Sequence, residues 1–117
     1  MCVIEVKDEN IPSEPAFHAV QQAIKYAVFV RELLRSSAGG DWWRLFGLGG
    51  SVPSKLTIHA VCAMPDKEDA DTSFAGHKIH VGNDEIQLDY IYFFETQNKI
   101  EDIRTSLSYG RQAEIST

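Results

Sequence analysis

Asp89, Asp102 and Arg104 fall within DEIQLDYIYFFETQNKIEDIRTSL, residues 84–107, where an aromatic run and a charged run are joined by a polar break. A turn at Gln97-Asn98 sets Glu95 opposite Ile100. Pairing then runs back through Tyr92 with Ile103, Ile91 with Arg104, Tyr90 with Thr105 and Leu88 with Leu107. One face of that hairpin collects Leu88, Tyr90, Tyr92, Phe94, Ile103, Leu107 and Tyr109. The other collects Asp89, Ile91, Phe93, Glu95, Ile100, Asp102, Arg104 and Ser106, with Arg104 in reach of both aspartates. On a solvent face such a cluster is an ion pair of little energetic value. Lining a closed concavity, it is an acid/base device in which burial raises one carboxylate's pKa while the arginine keeps the other ionised. A slip of one residue would invert every assignment.

Histidine gives a second route to chemistry. His77 and His80 stand three apart in a strand-like run, so they point to opposite faces and do not chelate together. His59 shares a face with Thr57 and Val61 and comes near His77 if their strands pair. Two arrangements stay open: a two-histidine site completed by Asp89, or one pocket histidine, His59 or His77, acting as donor or base. His18 reads as a surface residue. Cys2 and Cys62 have no metal-ligand spacing; Cys62 reads as core and Cys2 as a free surface thiol. The glycines of GLGGSVPS lack the lysine-serine pair of a phosphate loop and read as a helix stop and turn. Neither a metal nor an organic cofactor is expected.

These residues need elements to place them. Cys2–Val6 reads as a short strand, followed by a turn ending in Pro12. Ser13, Glu14 and Pro15 make a helix start. The helix that follows carries Phe17, Val20, Ile24, Ala27 and Val28 on one face and Tyr26, Phe29, Val30 and Leu33 on another. A helix apolar on two sides is buried on two sides, by a sheet and by a partner subunit, so a homodimer is expected. Asp41 is placed to cap a short second helix bearing Trp42 and Trp43, one in the core and the other at a cavity or subunit contact. KLTIHAVCAM alternates, with Leu56, Ile58, Ala60, Cys62 and Met64 on one face. PDKEDADT reads as a hairpin loop, SFAGHKIHV as the next strand and GNDE as a Gly-Asn turn. Helices followed by successive strands predict a single α+β domain over 1–117, a long N-terminal helix and a short second helix on a curved antiparallel meander.

The 117 residues are 44% hydrophobic and 24% charged, with a net charge of −6. An acidic chain with dispersed lysines and arginines disfavours nucleic acid. No apolar run is long enough to cross a membrane. MCVIEVKDEN has charges where a signal peptide has its apolar core, which points to the cytoplasm.

The order of helix, GGDWWRLFG and a strand series ending YIYFFETQNKIEDIRTSL resembles the NTF2-like superfamily, its SnoaL-like and ketosteroid-isomerase-like branches above all. The likeness rests on the Gly40-Asp41 step and on Tyr92, Phe93, Phe94, Lys99, Ile100 and Arg104, and spans roughly Phe17 to Tyr109. It implies a cone with an apolar pocket between sheet and helices, binding a small hydrophobic ligand or acting on it by acid/base catalysis. Trp42, Trp43, His59, His77, Ile91 and Phe93 would line the pocket, and Asp89, Asp102 and Arg104 would be its catalytic groups. Some branches carry an aspartate-arginine-aspartate arrangement, which these three resemble in composition and face. The alternative is an acidic interaction module, an inhibitor or immunity protein, whose charges meet a basic protein partner.

Overall fold

The computed structural model describes residues 1–6, 16–66, 70–96 and 99–107, and only the backbone of 16, 17, 95, 96 and 99–102. Strand β1 (Cys2–Val6) leads to helix α1 (Ala16–Arg35) and the short α2 (Gly39–Leu45). Strands β2 (Thr57–Pro65), β3 (Lys78–Val81), β4 (Asp84–Thr96) and β5 (Lys99–Thr105) follow. The expected helix start at Ser13–Pro15 lies outside the described residues.

The α+β class holds, but the sheet is mixed and not an antiparallel meander. Its order is β1-β2-β4-β3, with β5 also on β4. β1 runs parallel to β2, and β2 parallel to β4; β3 and β5 are antiparallel to β4 and occupy successive lengths of its outer edge. β2 and β3 are therefore not a hairpin, because β4 lies between them. Period-two alternation marks a strand and its faces but leaves its neighbour open.

One face of the sheet meets α1. Ile58, Ala60, Cys62, Met64, Ile86, Leu88 and Tyr92 are buried there, as the alternation of β2 predicts. The stripe of α1 pressed onto them is Ala19, Ala23, Ala27 and Leu34. Methyl-sized side chains let the helix sit close to the strands, and the larger Val20, Ile24, Val28 and Val30 close the two flanks. Gly39, at the start of α2, is buried where a Cβ would come within 2.0 Å of the Leu34 carbonyl oxygen, so the tight turn between the helices admits only glycine. Asp41 does not cap α2: the cap position is Ala38, and Asp41 pairs with Arg44 in the first turn.

A buried ion pair locks helix to sheet. Asp84, 2% exposed, opens β4 immediately after the Gly82-Asn83 turn, where Gly82 adopts φ +61°. Its carboxylate accepts Arg35 Nη2–H at 2.6 Å, Arg35 Nε–H at 2.9 Å and Arg31 Nε–H at 3.0 Å, and the Leu56 amide at 2.8 Å. The Arg35 guanidinium above all, against the opposing effect of burial, holds the Asp84 pKa well below the usual carboxylate range. Asp84→Asn removes the charge that both guanidiniums face and should lower the unfolding free energy by about 2–4 kcal/mol in urea titration. The sign with pH follows from the depressed pKa. Wild-type carries this stabilisation in full above about pH 4 and loses it as pH falls towards the folded-state value. Asp84→Asn should lack that part of the acid slope.

Candidate functional site

The sheet face turned away from α1 carries the second concentration of polar groups. Register places Thr57, His59, Val61 and Ala63 of β2 beside Glu85, Gln87, Asp89 and Ile91 of β4, with Cys2 of β1 opposite His59. Asp89 is only 1% exposed. Its Oδ2 lies 2.7 Å from His59 Nδ1 and accepts a longer bond, 3.4 Å, from Gln87 Nε2–H. Its Oδ1 accepts the Ser106 hydroxyl at 2.7 Å, and Ser106 Oγ in turn accepts the Tyr90 amide at 3.0 Å. Asp89 as acceptor favours the tautomer with its proton on Nδ1, and in that tautomer Nε2 carries the lone pair. His59 is half-buried over a fully buried acid. That is the orienting arrangement of a histidine base.

Arg104 is not part of it. The hairpin begins as expected, with Glu95 opposite Ile100, but a β-bulge sets Asp102 and Ile103 against Phe93. Beyond it Tyr92 faces Arg104 and Ile91 faces Thr105, one residue out of the expected register. Arg104 consequently sits on the α1 side of the sheet. Its guanidinium lies 5.0 Å from the Tyr92 ring centroid and donates two 2.8 Å hydrogen bonds to Asp66. The juxtaposition of Asp89 with Arg104 is thus overturned by the bulge. The side chain of Asp102, the Gln97-Asn98 turn and Tyr109 lie outside the described residues.

The other expected site residues divide. Ile91 and Phe93 are half-buried on the Asp89 face. His77 is exposed just before β3, and β4 separates it from His59, so the two do not meet. Among the described residues no cluster of histidine, cysteine and carboxylate side chains could hold a metal ion. Trp43 is core, its Nε1–H donating to the Gly49 carbonyl at 3.0 Å; Trp42 is half-buried and packs on Phe46.

Phe46 leads to a cleft. Met1, Cys2, Val3, Val30, Phe46 and Leu48 line a space of about 390 Å³ where the start of β1 meets both helices. Its walls are apolar. Cys2 lines this cleft and also stands opposite His59 in the ladder, the cleft lying on the α1 side of the sheet and the dyad on the other. Desolvation, and more weakly the Asp89 charge, push the Cys2 thiol pKa up, so this sulfur is held as thiol and not as nucleophilic thiolate.

Sequence reading missed Gln87 as a partner of Asp89, although both stand on one face at a spacing of two. It placed Ser106 on that face without assigning it a role. Compared with protein-family models, with curated proteins and with solved structures, the chain matches none. The site is therefore described by its own geometry. Ser106→Ala strips a donor from buried Asp89 and an acceptor from the Tyr90 amide, and should cost about 1–2 kcal/mol in denaturant unfolding. Ser106→Thr, which keeps the hydroxyl, should recover most of it.

Proposed function

We propose that the protein binds a small, largely apolar molecule at the β1 edge of the sheet and moves a proton on it through His59, oriented by Asp89. One observation carries this reading: a fully buried carboxylate holding a half-buried imidazole at 2.7 Å, with Cys2, the ladder partner of His59, reaching an apolar cleft around the β1 edge. The cleft supplies affinity by burying apolar surface. His59 Nε2 would take the proton, and Asp89 would stabilise the imidazolium that forms. The reading rests on the dyad and not on the NTF2-like resemblance, whose meander the sheet does not follow. It assigns Ile91 and Phe93 to the wall beyond Asp89, and leaves Arg104 to hold Asp66 beside the aromatic face.

A thermal-shift screen of hydrophobic ketones, esters and carboxylic acids tests it. A ligand at a hundredfold excess over Kd stabilises by about 2.7 kcal/mol, well within detection. Wild-type should shift with at least one class, and filling the cleft by Val30→Trp should abolish the shift. His59→Asn should keep the shift of purely apolar ligands and lose about 10²–10⁴-fold of any proton-transfer rate. If no ligand shifts wild-type, the pocket reading fails and the acidic chain is better tested against basic protein partners.

A further inference from the structure

The β1 side of the molecule is apolar and open. β1 ends the sheet, and among the described residues no strand pairs its outer edge. Ile4 and Val6 are 49% and 66% exposed there. An unpaired edge of apolar residues is a template for another strand. Beside it, α1 shows a flank distinct from the one Arg31 and Arg35 turn to Asp84. Gln22, Tyr26, Phe29 and Leu33 follow one another at spacings of four, three and four, which is the seam of a helix pair. Tyr26 is 50% exposed and Phe29 61%.

We propose that a second copy of this chain covers this edge, β1 pairing antiparallel with the β1 of the copy and α1 packing on its α1. The two contacts are geometrically compatible. α1 packs over β2 and reaches β1 on one side and β4 on the other. A two-fold axis beside β1 therefore sets the two α1 helices side by side on one face of the joined sheet, with the large side chains of Tyr26 and Phe29 between them. The pairing is also self-complementary. Centred on Ile4, it sets Cys2 opposite Val6 and Val3 opposite Glu5, so the acids of the two strands do not face each other. Along the helices, Tyr26 of each copy meets Phe29 of the other. Lys25 flanks the seam beside Glu32 of the copy, whose carboxylate also accepts Arg31 Nη1–H of its own chain at 2.9 Å, and this occurs twice by symmetry. That repeated charge match selects the same chain over an unrelated partner, despite the net charge of −6 on each copy. The contact adjoins the β1 end of the cleft, and its test reads association without any ligand.

Sedimentation equilibrium of the full chain tests it. Wild-type should reach twice the chain mass at about 10–100 µM. Phe29→Glu and Ile4→Lys should each weaken association about a hundredfold or more, with far-UV circular dichroism unchanged because both residues are exposed in the monomer. Lys25→Glu should weaken it about tenfold, and adding Glu32→Lys should restore it. A wild-type monomer at about 100 µM overturns the proposal. So does a dimer indifferent to Phe29→Glu and Ile4→Lys, or a charge swap that fails to restore association.

Discussion

The ion pair at Asp84 sets the frame for everything else. Two arginines one helical turn apart reach a single carboxylate at the start of β4, so α1 can lie across the sheet in one direction only. The same carboxylate accepts the Leu56 amide, and the Leu56 carbonyl accepts the Glu85 amide. These bonds fix where β2 and β4 begin relative to each other. From that origin the parallel ladder runs Thr57 with Glu85, His59 with Gln87 and Val61 with Asp89. His59 arrives diagonal to Asp89 because the pairing started at Asp84. Buried charges contribute little net stability compared with well-packed apolar groups, and their value here lies in selecting one register.

Asp89 is a different kind of buried charge. No full cation holds it within the contacts described; its partners are an imidazole, a hydroxyl and an amide. Among the described residues every buried side-chain polar atom has a partner, so the cost of burial is met, but only by building a network around it. The neighbouring Val61 and Ala63 show that this face accepts apolar residues. A leucine in place of Asp89 would take the acceptor from Ser106, Gln87 and His59 together, so the carboxylate is what ties these three side chains into one network.

Much of this was legible in the sequence, and the gaps have identifiable causes. The alternation of Ile58, Ala60, Cys62 and Met64 told the core face of β2 correctly, because one face is apolar throughout. The Gly82-Asn83 turn was read from residue types that a positive φ requires. The parallel pairing of β2 with β4 was not legible: alternation is the same for either neighbour, and the acidic connection after Pro65 reads equally well as a hairpin. On α1 Ala19 and Ala23 join the expected Ala27 in the stripe on the sheet while Val20, Ile24 and Val28 take the flanks, since closeness to the sheet favours the smallest side chains over the most hydrophobic ones. Of the site, the sequence puts Asp89 and His59 together only as ligands of a metal site with His77, and not as a hydrogen-bonded dyad.

The bulge at Phe93 determines which chemistry the face can do. Had the hairpin kept its register, Arg104 would have stood beside Asp89, and a carboxylate held by a permanent cation neither gives nor takes a proton near neutrality. One inserted residue rotates Arg104 to the aromatic face, where Asp66 and the Tyr92 ring receive it. β5 ends at Thr105, and Ser106 turns back to Asp89 as a neutral donor. Asp89 is thereby kept for His59, a partner that can exchange a proton. The irregularity that defeated the expected register is what turns an ion pair into a carboxylate-imidazole dyad.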